Sequence, residues 1–286
     1  MNNISIYFVL FELLVYALFL ICLRFAWRGG NAEALGLLAG VLFGVILESA
    51  TIRQLNAYHY GRFLIMLGDV PLAVGVAWGC IIYSARMFSD ASSLPWLARP
   101  ILDGLLALNI DLSMDAIAIR LGMWDWGLGM QSQYFGVPWV NFWAWFWVVF
   151  SFSLGLRMTE RFVGKQGRWL APLGGVLVGL AGVLGTNYLI VFVVPRPYYQ
   201  ATIFAVLGLA LFLTAIQRPR FGVRRMEALA AYVPLGFHLY FLAAGLISGV
   251  IFQPLYLLLV SGSMLFLALL LHRDQLSWLK RSTMKS

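Results

Sequence analysis

Apolar residues come along this chain in nine long runs, at approximately 4–27, 32–52, 63–85, 99–120, 137–157, 169–194, 199–217, 226–252 and 254–272. Charges or turn residues separate them, and the connections are short. A helix of about 20 apolar residues crosses the ~30 Å hydrocarbon core of a bilayer. The pattern therefore predicts an all-α fold, a polytopic membrane bundle of about nine transmembrane helices. It predicts a single integral-membrane domain over 1–286, without repeat or soluble appendage. The first run is long enough to span by itself, so a cleaved leader is not expected ahead of it. In the sixth run Gly175, Gly179 and Gly182 fall on one face, where small residues let helices pack closely.

Composition agrees with this pattern: 62% of residues are hydrophobic, 11% are charged and the mean hydropathy is +0.85. An ordinary soluble domain is excluded. A formal charge of +8 would suggest nucleic acid in a soluble protein, but in a membrane chain cations mark cytoplasmic loops, so no nucleic-acid partner is expected. Loops after the odd-numbered runs, with the C-terminal tail, hold sixteen of the twenty Lys and Arg residues; the even-numbered loops hold only Arg53, Arg62, Arg120 and Arg196. This bias places the N-terminus outside and the C-terminus in the cytoplasm, and a multi-pass protein of the cell membrane is expected. Cys22 and Cys80 each lie inside an apolar run and read as packing residues. His59, His238 and His272 are far apart in sequence, so neither a metal site nor a metal cofactor is expected.

The acids change the picture. Nine of the twelve Asp and Glu residues lie in the first 125 positions, and several lie inside apolar runs, where ionisable groups are costly and must face a protein interior or a wet cavity. Asp111 and Asp115 are one helical turn apart on one face. In a shared low-dielectric cavity their repulsion keeps both from ionising together, which would leave one as a proton donor. The bland alternative is a structural carboxylate paired to Arg120 or Arg99. Asp103 could pair with Arg99, four residues before it, and Glu12 has no partner nearby in sequence. On the predicted topology Glu48, Asp69, Asp111, Asp115 and Asn141 fall at one depth near the outer face, where Asn187 and Tyr188 can join them. That convergence is the candidate active centre.

Aromatic residues crowd the same region: Trp124-Asp125-Trp126, then Tyr134 to Trp147 with Trp139, Trp143, Trp145 and Trp147. An interfacial anchoring belt accounts for some of them. Aromatic faces also stabilise cations and line slots for flat polyenes. The sequence shows no glycine-rich nucleotide loop, metalloprotease His pair or nucleophile elbow. Intramembrane prenyltransferases carry two aspartate-rich motifs, and no second acidic motif follows residue 125 here, which argues against diphosphate transfer.

The run Glu48…Tyr58-x-Tyr60…Asp69-Val70-Pro71-Leu72…Trp78 resembles the first signature of the membrane carotenoid-biosynthesis proteins that include carotenoid 1,2-hydratases. Asp111-x-x-x-Asp115, Trp124-x-Trp126 and Tyr134-Phe135-Gly136-Val137-Pro138…Asn141-Phe142…Trp145 resemble the second. Three departures bear on the substrate slot. Leu55-Asn56-Ala57 stands where the family shows a Phe-Gly, Ala116 follows the second aspartate in place of proline, and Ala144 precedes Trp145 in place of glycine. The resemblance covers about 44–147. It implies water addition to the terminal double bond of an acyclic carotenoid end group, with no cofactor. The expected partners are a lipophilic carotenoid or other polyene, water, the lipid bilayer and other enzymes of carotenoid synthesis.

The residues supply a matching chemistry. Asp111, Asp115, Glu48 and Asp69 are the candidate catalytic groups. Tyr58, Tyr60, Trp78, Trp124, Trp126, Tyr134, Asn141 and Trp145 are the candidate substrate-binding groups. A protonated carboxyl would protonate the alkene, aromatic faces and the remaining carboxylate would steady the cation, and water held by a carboxylate or Asn141 would add. Two other classes remain open at this level. An intramembrane cyclase or isomerase of polyene or terpenoid end groups would use the same acid and exclude water. A non-catalytic transporter or carotenoid-binding protein would use the acids to line a path.

Overall fold

The computed structural model describes residues 4–223 and 227–275. Arg224, Arg225, Lys280, Arg281 and Lys285, five of the cations used for orientation, lie outside the described residues. Among these there are nine α-helices, one for each apolar run: α1 (Ile6–Gly29), α2 (Asn31–Leu55), α3 (Leu72–Asp90), α4 (Arg99–Arg120), α5 (Trp139–Val163), α6 (Ala171–Tyr188), α7 (Arg196–Ile216), α8 (Leu229–Ser248) and α9 (Tyr256–Leu271). Seven of them are long and apolar enough to cross a membrane. The exceptions have physical reasons. In α4 the residues Arg99, Asp103, Asp111, Asp115 and Arg120 dilute the apolar run, and α9 is only 16 residues long.

The third run is where structure and expectation part. Helix α3 starts at Leu72, with Pro71 as its N-cap, and not near residue 63. Proline has no N–H and sits comfortably where a helix begins. The apolar residues ahead of it form a hairpin, β2 (Met66–Leu67) with β3 (Val70–Pro71), turned at Gly68 with φ +63°. Two further short strands, β1 (His59–Tyr60) and β4 (Trp124–Asp125), pair antiparallel above the helices. Helix α2 ends at Asn56 in the left-handed conformation (φ 46°), which after glycine is best tolerated by asparagine. The departure from the family's Phe-Gly thus keeps a residue able to make the turn.

Helices α3 and α4 lie at the centre, almost wholly buried, whereas α7 is outermost and exposes Leu209, Leu211 and Phe212. Such outward apolar faces are the surface a bilayer would cover. Helix α5 packs between α4 and α6, and α2 packs on α3 and α6. The small-residue face of α6 is a packing face: a Cβ on Gly175, Gly179 or Gly182 would meet Phe152, Phe43 or Ser151 at 3.0, 2.7 and 2.3 Å. The C-terminal helices brace α4. His238 of α8 bonds through Nδ1 to the Ser113 hydroxyl (2.8 Å) and through Nε2 to Asn109 Oδ1 (2.9 Å), while Asn109 Nδ2 donates to the Met264 carbonyl of α9 at 3.1 Å.

Candidate active site

Near the end of the bundle that carries the short strands, a cavity of about 860 Å3, counting its open mouth, lies among α1, α2, α3, α4, α5, α6 and α8. Its walls are mostly apolar and aromatic, and Glu48, Asp115, Asn141 and Asn187 are among the few polar side chains that reach it.

Asp111 and Asp115 are both buried on the inner face of α4. Asn141, in the first turn of α5 where Pro138 caps the helix, points one amide nitrogen at both: Nδ2 donates to Asp111 Oδ2 at 2.9 Å and to Asp115 Oδ2 at 2.6 Å. Asp115 lines the cavity; Asp111 lies behind it, with Oδ1 buried and unpartnered. Neither arginine of the structural alternative reaches the pair. Arg99 bonds Asp90 at 3.1 Å. Arg120 gives its guanidinium to the carbonyls of Ala116, Met130, Phe135 and Gln253 at 2.7–2.9 Å, tying the loop after α4 into place.

Glu48 enters from α2 and accepts three hydrogen bonds. Trp78 Nε1 donates to Oε1 at 2.7 Å, the Tyr60 hydroxyl donates to Oε2 at 2.8 Å, and the Tyr58 hydroxyl donates to the same oxygen. A carboxylate is an acceptor only, and three donors suit it. Burial, followed by the nearby Glu48 carboxylate, pushes both phenols well above their ordinary range, so they remain donors. A close approach of α2 to α3 makes this possible: a Cβ on Gly44, one turn before Glu48, would fall 2.7 Å from the Cβ of Trp78. Among the described residues, no ion pair reaches Glu48, Asp111 or Asp115.

The tyrosine and tryptophan motifs meet as a lid. Alternate residues of a strand share a face. Pairing Tyr60 with Trp124 and His59 with Asp125 therefore turns Tyr58, Tyr60, Trp124 and Trp126 toward the cavity, and leaves His59 and Asp125 exposed. The rings touch, Tyr58 with Trp126 at 4.5 Å and Tyr60 with Trp124 at 6.0 Å between centroids. Deeper in, Trp78 and Trp145 lie 4.4 Å apart. The lid needs a glycine at position 61, where a Cβ would come within 2.6 Å of the Gly122 carbonyl.

Two proposed site residues fall elsewhere. Asp69 stands exposed in the turn of the β2–β3 hairpin, outside the cavity, because the chain ahead of Pro71 is a hairpin and not the first turns of a helix. Tyr134 does not line the cavity either. Its hydroxyl donates to the Leu112 carbonyl at 2.7 Å, and its ring packs on Phe135 and Phe142, so it braces α4 beside the acids. Burial and the Asp111 and Asp115 carboxyls push its phenol up. Asn187 reaches the cavity, but Tyr188 is exposed against Phe192. Sequence reasoning missed Thr51, Phe11 and Phe237. Thr51 follows Glu48 by three residues and so shares its helix face, whereas nothing local marks Phe11 or Phe237. Among the described residues no three His, Cys, Asp or Glu side chains gather as metal ligands.

No curated protein and no solved structure shows a significant match to the chain. The family model described as carotenoid biosynthesis protein matches residues 4–215, well beyond the 44–147 stretch of the signature motifs. That match takes in α1 through most of α7, and with them nearly every wall of the acidic, aromatic cavity. The chain belongs to the carotenoid biosynthesis protein family.

Proposed function

We propose that this membrane protein is a carotenoid hydratase of the 1,2 type, adding water to the terminal double bond of an acyclic carotenoid end group. The observation that carries this reading is the pairing of two kinds of acid in one apolar cavity. In this reading Asp115, linked to Asp111 through Asn141, supplies a proton, and Glu48, whose oxygens accept from Trp78, Tyr58 and Tyr60, supplies negative charge. A substrate that arrives neutral and becomes positive fits such a site, because preformed charge stabilises charge that develops in the transition state.

The two carboxyls of Asp111 and Asp115 share one proton. The end group enters the cavity with its trisubstituted alkene against Asp115. The π-electrons take that proton at the less substituted carbon, a C–H bond forms, and the positive charge falls on the tertiary carbon. Glu48 and the faces of Trp78, Trp145, Tyr58 and Trp126 steady it. The oxygen of water then bonds to the tertiary carbon, and one water proton returns to the Asp111–Asp115 pair. The product is a tertiary alcohol, and the site is restored without any redox change.

The test is expression in a host that accumulates lycopene, followed by mass analysis of the extracted pigments. The expected product is heavier than lycopene by one water. A new pigment of unchanged mass would assign the chain to the cyclases or isomerases instead. Unaltered lycopene in the presence of accumulated protein would remove the catalytic reading.

A further inference from the structure

The mechanism above leaves a buried carboxamide of the cavity unused. Asn187, at the end of α6, is fully buried and lines the cavity. Among the described residues neither its Oδ1 nor its Nδ2 has a hydrogen-bond partner. Buried carboxamides are almost always satisfied, and one with both ends free asks for a partner that comes and goes. Trp126 Nε1, on the same cavity, is likewise buried and unpartnered.

The backbone around Asn187 is fixed. Gln54 Nε2 donates to the Leu184 carbonyl at 3.0 Å, and Trp143 Nε1 donates to the Thr186 carbonyl at 3.2 Å. Directly after Tyr188 the helix widens into a π-helical turn, Leu189–Val193, a rare form that occurs often at functional sites. Two side-chain clasps therefore hold the end of α6 while Asn187 is kept without a protein partner. The acid and Asn187 also approach from different sides: α5 packs between α4, which carries Asp115, and α6, which carries Asn187.

We propose that Asn187 holds the water that captures the cation. This rests on the hydration reading above and deepens it. One carboxamide offers both a donor and an acceptor, so Nδ2 can hold a water lone pair while Oδ1 takes one water hydrogen, leaving the second lone pair for the tertiary carbon. An amide is no base, so the proton released as the C–O bond forms goes to the Asp111–Asp115 pair, which gave one up in the first step. Without a held water the cation instead loses a proton from a neighbouring carbon, or closes on another double bond, and the substrate mass is unchanged. Asn187 thus decides between alcohol and isomer.

The test compares wild type with Asn187→Leu and with the isosteric pair Asn187→Val and Asn187→Thr, each expressed in a lycopene-accumulating host. The measured quantity is the ratio of water adduct to unchanged-mass isomers, normalised to folded protein. Leu and Val are expected to lower that ratio roughly tenfold or more, the scale of one or two lost hydrogen bonds. Thr, whose hydroxyl can hold a water, is expected to retain several-fold more adduct than Val. If the Leu variant fails to accumulate, the Val–Thr comparison decides. An adduct in wild type with the same ratio in Val and Thr overturns the role of Asn187 and leaves the hydration reading standing. Absence of the adduct in wild type overturns both.

Discussion

Helix α4 carries two acidic centres that could hardly be treated more differently. At its first turns Asp103 is closed into an ion-pair cluster: Arg157 Nη1 lies 2.6 Å from Asp103 Oδ2, Ser153 donates to the same oxygen, and Arg157 and Arg99 both reach Asp90, at 3.0 and 3.1 Å. Eight and twelve residues on, about 12 and 18 Å along the axis, Asp111 and Asp115 have an asparagine and, among the described residues, no cation. The first cluster faces packed side chains and the second faces a cavity. Buried charge that has its counterion is part of the framework. Buried acid without one, facing a cavity, is where the proposed reaction would find its acid.

Breaking the first centre should have the largest effect, on the amount of folded protein. Arg157→Leu leaves Asp103 buried and uncompensated, and losing one partner of a buried pair costs about 3–5 kcal/mol. The expected outcome is failure to accumulate or a sharply lower thermal midpoint in detergent. Wild-type melting would show that the cluster is dispensable and collapse the contrast.

Breaking the second centre should leave folding intact and stop turnover. Asp115→Asn keeps the shape but has no proton to give, and general acid catalysis is worth roughly 10²–10⁴-fold in rate. Asp111→Asn should cost less, because Asp111 lies behind Asp115 and off the cavity wall. Turnover per folded molecule in the two variants checks this order. Equal losses would make the pair one indivisible acid, and near-wild-type turnover in both would remove it from the chemistry.

The aromatic lid gives the finest resolution. Trp126→Phe keeps a weaker aromatic face, whereas Trp126→Leu keeps only bulk, and a cation over a ring is worth about 0.5–2 kcal/mol. Leu should therefore turn over several-fold more slowly than Phe at equal folded amounts. Identical rates would reduce Trp126 to shape and anchoring.

Much of this arrangement was legible in the chain because its causes are local. Among the described residues each of the nine apolar runs became a helix, and the i, i+4 spacing put Asp111 and Asp115 on one face. What was not legible depends on chain brought from far away. Arg99, four residues back, offered Asp103 a local partner; its partner is instead Arg157, 54 residues on, supplied by the packing of α4 on α5. Strands of two residues carry no periodic signal, so the meeting of Tyr58-x-Tyr60 with Trp124-x-Trp126 could not be read from either motif. Hydropathy runs straight through Phe63 to Leu72, which hid the hairpin and drew Asp69 into the site. Glu12, without a local partner, accepts from the Tyr16 hydroxyl at 2.9 Å and from the backbone N–H of Leu64, fastening that hairpin to α1.

The three donors around Glu48 also tie the lid to the bundle. Trp78 belongs to a buried helix, but Tyr58 and Tyr60 belong to the lid, so lifting the lid away strips two hydrogen bonds from a carboxylate. Such bonds are worth about 1.5–3 kcal/mol each, so Glu48 alone adds roughly 3–6 kcal/mol to the cost of lifting the two tyrosines. Glu48 is in this sense a latch: one carboxylate of the cavity wall fastens the tyrosine side of the lid to the helices beneath it.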